Sequence, residues 1–159
     1  QGSTMATYGG QNVGAGRLDR VDRGLKDCIK LGISYSAVTF IFLALTGRYL
    51  ALLFVKPGET DLIKYIYIYL LGNSAFYFLL ALVNIVRFMI QGLGYSGLAV
   101  IAGICEMAAR GLAGFFLVPA FGYIFVALAS PLAWLFADLF LIPAYLYVMK
   151  RLREKQRVV

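Results

Sequence analysis

The sequence predicts an all-α integral membrane protein, a polytopic bundle of about four transmembrane helices. Of its 159 residues, 61% are hydrophobic and 14% charged, and the mean hydropathy is +0.79. Soluble domains run nearer half apolar and a quarter charged. The charges gather at Arg17 to Lys30, Lys56 to Lys64 and Lys150 to Arg157, and between these clusters lie only Arg48, Arg87, Glu106, Arg110 and Asp138. The uncharged runs are long enough to cross lipid, where about 20 residues span the hydrocarbon. Bilayer is the solvent that suits such a chain.

Residues 1–30 read as the end of a preceding helix followed by a basic loop or surface helix. Gln1 to Gly16 is rich in Gly, Ser, Thr, Asn and Gln. In Arg17 to Lys30, Leu18, Val21, Leu25 and Ile29 recur at helical spacing, which predicts a short amphipathic helix lying on the membrane surface. No charged segment with a cleavage site precedes the apolar runs, so no signal peptide is expected.

Four spans follow within residues 31–149. The first covers about 31–55; Gly47-Arg48 interrupts it, and Tyr49 to Val55 reads as an interfacial segment. Lys56 to Asp61 is the turn, because Pro and Gly break the helix and the charges seek water. The second span covers about 62–90. Alternation over Tyr65, Tyr67 and Tyr69 would suit a strand, but a lone strand leaves backbone groups orphaned in lipid; an aromatic belt fits instead. Gln91 to Ser96 turns into the third span, about 97–118, which Pro119 stops. The fourth span covers about 124–149, with Pro131 and Pro143 kinking it or marking its ends. Residues 150–159 form a basic tail.

Five Lys or Arg precede the first span and five lie in the tail, against Lys56 and Lys64 at the first turn. An even number of spans puts both basic ends on one side, and basic flanks favour the cytoplasm. That same placement argues against nucleic acid despite the net charge of +7: the cations flank apolar spans and form no basic face on a soluble core. Histidine is absent, and Cys28 and Cys105 match no metal or redox spacing. No metal site, cofactor or nucleophile–base pair is expected, so the chain does not read as an enzyme.

Glu106, Arg110 and Asp138 are the candidate ion or substrate pathway. Glu106 lies about ten residues from the turn, roughly 15 Å deep at the helical rise. A charge near the bilayer centre costs at least about 2.5–3.5 kcal/mol on insertion scales. A spacing of four places Arg110 on the same helix face as Glu106. Asp138 falls at similar depth, so an Asp138–Arg110 contact is feasible. The alternative is a charge network that only fixes helix packing. Asn73, Ser74 and Asn84 interrupt the second span; they bind ligand, or they cap a bend or hydrogen bond a neighbouring helix. Gly92 to Gly97 (GLGYSG) spells a dinucleotide fingerprint, yet membrane spans flank it. Its glycines suit a tight turn and close helix approach. Small residues along the third span (Ala99, Ala102, Gly103, Ala109, Ala113, Gly114) read as packing.

Three stretches carry a resemblance. YGGQNVGAGRLDRVDRGLK (Tyr8 to Lys26) is similar to the segment after the second helix of a lobe in multidrug and toxin extrusion transporters. Gln11, Asn12, Gly14, Gly16 and Arg17 carry its motif. ALVNIVRFMIQGLGYS (Ala81 to Ser96) resembles the end of the tenth helix and the turn beyond. Glu106 to Leu152 resembles the last two helices. The family has twelve helices in two six-helix lobes, and this resemblance implies that the chain runs from the end of helix eight to helix twelve. It implies multidrug efflux of organic, often cationic, compounds by an antiporter in the plasma membrane, coupled to Na⁺ or H⁺, with the bilayer and the other lobe as partners. The second span holds no match for the tenth-helix acid that some members use. A small scaffolding membrane protein and a lipid-linked saccharide flippase of a related superfamily stay open as other readings.

Overall fold

The computed structural model describes residues 2–55 and 60–157. Among these the chain is helical: α1 (Gly2–Gly14), α2 (Leu18–Leu52), α3 (Thr60–Ser74), α4 (Tyr77–Gly92), α5 (Ser96–Leu112), α6 (Val118–Phe121) and α7 (Tyr123–Arg157). A π-helical turn, Ala113–Leu117, joins α5 to α6. Three helical stretches (α2, Ser96–Phe121 and α7) are long and apolar enough to cross a membrane. A fourth span results if α3 and α4, bent by 46°, are taken together.

The core forms where α1, the start of α2, α4 and α7 meet, around Val21, Val83, Val86, Met89, Leu141 and Val148. This placement corrects the surface-helix expectation for Arg17 to Lys30. Leu18, Val21 and Leu25 are buried against the bundle, and no helix breaker separates them from the first span. The result is one continuous α2. Gly47 does not break that helix either: its bare backbone lies against the Tyr67 ring, where a Cβ would sit at 3.2 Å. The basic tail is likewise a continuation of α7, as far as Arg157. Of the predicted turn, Lys56 to Asp61, residues Lys56 to Glu59 lie outside the described residues, and Thr60 and Asp61 begin α3.

The prolines act differently from one another. Pro119 does not stop the third span at 118. Helix continues to Phe121, and the wider π turn ends at Leu117, two residues before the proline, whose ring would crowd the carbonyl of Phe115 in a regular α-helix and which has no N–H to offer it. Pro131 and Pro143 both sit inside α7 without ending it. Pro131 has no N–H to give the Ala127 carbonyl, a loss that lipid cannot make good. The Asn73 side chain donates to that carbonyl at 3.1 Å. The break between α3 and α4 follows directly, at Ala75-Phe76.

The turns before α2 and α5 close alike. Arg17 N–H donates to the Asn12 carbonyl and Gly16 N–H to that of Val13; Tyr95 and Gly94 repeat this with Ile90 and Gln91. Each glycine carries positive φ, 69° and 88°, the left-handed cap that ends a helix. Gly92 serves a separate purpose, since a Cβ there would overlap the Ala6 carbonyl. It lets α1 cross α4 in backbone contact.

Candidate functional site

The polar centre of the bundle lies between α4, α5 and α7. Glu106 faces α4 from the middle of α5, and two guanidinium groups donate to it. Arg87 Nη2 reaches Oε2 at 2.7 Å and Arg110 Nη2 reaches Oε1 at 3.0 Å. The Glu106 and Arg87 side chains are 19% and 21% exposed, whereas that of Arg110 is 51% exposed. Charge-assisted bonds of this length are the strong kind, and between helices in lipid they fix register.

Asp138 of α7 is 3% exposed. Among the described residues, no group donates a hydrogen bond to either of its carboxylate oxygens, and Arg87 Nε is buried without an acceptor. The charges of both Arg87 and Glu106 act on it. The Asp138–Arg110 contact that depth made feasible does not form; Glu106 holds Arg110 one turn along its own helix. Two arginines and two carboxylates balance in net charge, but the pairing is lopsided: among the described residues one acid has two partners and the other has none. A buried carboxylate in that position is costly unless a proton, a cation or a donor compensates it.

The amides and hydroxyl of the second span lie elsewhere. Asn73 donates to the carbonyls of Tyr69 and Ala127, both at 3.1 Å. Ser74 Oγ donates to the Leu71 carbonyl at 3.3 Å. Both residues are spent at the helix break. Ala127, the contact of Asn73 on α7, is eleven residues from Asp138, roughly 16 Å along the axis. Asn84 Nδ2 donates to the Leu80 carbonyl at 2.8 Å. Asn84 also lines a separate cavity of about 410 Å³ with Tyr35, Ser36, Thr39 and Tyr77 between α2 and α4. Gln11, Asn12, Gly14, Gly16 and Arg17 lie at the end of α1 and in the turn after it, where Asn12 Nδ2 donates to the Tyr8 carbonyl at 2.8 Å. That turn is tied to the end of α7 through Gln156, which donates to the Gly16 carbonyl at 2.8 Å. The motif thus shapes a junction distant from the charge cluster.

Arg87 is the residue that sequence reasoning passed over. It lies five residues before the end of α4, where a lone cation reads as a topology marker. The signal that singled out Glu106, an isolated charge in an apolar helix, applies to it equally.

Comparison with known proteins gives one match: the family model described as MatE fits residues 2–117. Neither a curated protein nor a solved structure matches the chain. The matched stretch runs from α1 through the π turn and includes Arg87, Glu106 and Arg110, while Asp138 lies beyond it. With well over half its length matched, the chain belongs to the MatE family of multidrug and toxin extrusion transporters and is a multi-pass membrane protein.

Proposed function

We propose that the chain supplies the end of helix eight and helices nine to twelve of a two-lobe efflux antiporter. It exports organic, often cationic, compounds in exchange for Na⁺ or H⁺, with the other lobe of the same transporter as partner. Both basic ends face the cytoplasm across the plasma membrane. The pairing of Asp22 with Arg153 gathers those ends at one pole of the bundle, which supports that orientation.

The observation that carries the antiport reading is Asp138, buried on α7 beside the Arg87–Glu106 pair and without a hydrogen-bond donor among the described residues. A carboxylate so placed gains stability from each H⁺ or Na⁺ that reaches it and loses it when the ion leaves. If arrival of the ion also releases Arg87 from Glu106, the contact between α4 and α5 loosens with it. Ion binding and helix movement then share one set of charges, as rocking transport requires. The cavity around Asn84 offers Tyr35 and Tyr77 as aromatic faces for an organic cation.

The test is drug accumulation in cells carrying the transporter, measured with and without a Na⁺ gradient and across pH. Asp138→Asn is expected to slow efflux by about tenfold, the size of a coupling near 1.4 kcal/mol, and to flatten the ion dependence. Unchanged efflux and ion dependence in both Asp138→Asn and Glu106→Gln would reduce the cluster to packing.

A further inference from the structure

We propose that the crevice between the start of α2 and the end of α7 binds the headgroup phosphate of an anionic phospholipid. The crevice is a cavity of about 490 Å³, separate from the charge cluster and from the Asn84 cavity. Four cations line it, Lys26 from α2 and Lys150, Arg153 and Arg157 from α7, against the carboxylates of Asp22 and Glu154.

Asp22 is already committed. Tyr145 Oη donates to one of its oxygens at 2.7 Å, and Arg153 pairs with the other. This brace holds the two helices apart at a set spacing and removes most of the negative charge on the cavity wall. Among the described residues, Lys26, Lys150 and Arg157 form no ion pair. Three exposed, uncommitted cations thus converge from two helices against one free acid, a donor set made for a phosphate.

The rest of the lining selects lipid over free phosphate. Leu25 and Met149 give the crevice an apolar floor, and Leu146, 62% exposed, leads out along the lipid face of α7. Lys150 marks the end of the apolar run of α7, which places the cations at headgroup level, where basic pockets between helices hold anionic lipids. A soluble anion has no use for the greasy half of this site; an acyl chain does.

The experiment is native mass spectrometry of the detergent-purified transporter, titrated with phosphatidylglycerol, phosphatidylcholine or inorganic phosphate. Phosphatidylglycerol is expected to bind, phosphatidylcholine much less, and millimolar inorganic phosphate is not expected to displace the lipid. The triple variant Lys26→Gln, Lys150→Gln, Arg157→Gln should weaken phosphatidylglycerol binding by about tenfold or more. A matched variant of three exposed cations elsewhere (Arg20→Gln, Arg48→Gln, Lys64→Gln) should leave it unchanged. Glu154→Gln, which removes the free acid, should tighten binding by about threefold. Equal loss in both triple variants, or no response to any of the crevice changes, would overturn the site. Displacement by phosphate would overturn the choice of lipid.

Discussion

Helices α2 and α7 are each 35 residues long, with span hydropathies of 1.8 and 2.0, yet 11% of the first span and 39% of the second is buried. Their compositions are nearly interchangeable and their positions are not. The buried residues in the membrane half of α2 are small: Gly32, Ser36, Gly47 and Ala51. Its large side chains point outward; Leu31, Val38 and Leu45 are all about two-thirds exposed or more. Helix α7 also turns small residues inward (Ala127, Ala133, Ala137), but adds Trp134, Leu141 and Val148 because neighbours surround it. In lipid, size rather than hydrophobicity decides which face a helix offers its partners, since apolar contact with tails and with protein are of similar worth.

Truncation would test this difference most sharply. Leu141→Ala on α7 removes a fully buried side chain and is expected to cost about 2–5 kcal/mol. Leu45→Ala on α2, 72% exposed, should cost less than about 0.5 kcal/mol. Thermal unfolding in detergent, read by size-exclusion fluorescence, measures both. Similar losses would mean that a partner surface, and not lipid, covers α2.

A charge probes the same face from the opposite direction. Leu45→Asp should lower membrane insertion by about 2.5–3.5 kcal/mol if lipid faces it, measured as the inserted fraction in a glycosylation-mapping assay. Normal insertion would place water or the other lobe against α2.

The smallest effects concern α3, whose Tyr67 reaches α2 and whose Asn73 reaches α7, while Tyr123 Oη of α7 donates back to the Tyr65 carbonyl at 3.1 Å. Tyr67 Oη donates to the Ala44 carbonyl of α2 at 2.9 Å, and Asn73 Nδ2 to the Ala127 carbonyl of α7 at 3.1 Å. A single interhelical hydrogen bond in a membrane protein averages about 0.6 kcal/mol, so Tyr67→Phe is expected at that level. Asn73→Ala should exceed it, because Pro131 leaves Ala127 no replacement donor. Equal values would show that a water takes the place of Asn73.

The helical class and the presence of several membrane-length apolar stretches were readable along the chain, for charge is expensive in lipid wherever it stands and leaves its mark residue by residue. Glu106 and Asp138 were readable for the same reason, as charges in the wrong solvent. Their partners were not. Spacing along α5 offered Arg110 to Glu106 and depth offered Asp138 to Arg110, but depth says nothing about rotation around a helix axis. Arg87 lies only a turn and a half from the end of α4, and its long arm reaches inward to Glu106 where its position alone suggests water. The Asn73–Pro131 relation was hidden in the same way, since the missing donor and its substitute are 58 positions apart.

Hydropathy and charge placement therefore establish a helical membrane chain and the gathering of its cations at the ends, because each of these depends on one residue and its solvent. Which helix sits at the centre, which acid is paired and which stands alone depend on contacts between distant residues. Such contacts exist once the helices have packed, and no local pattern encodes them.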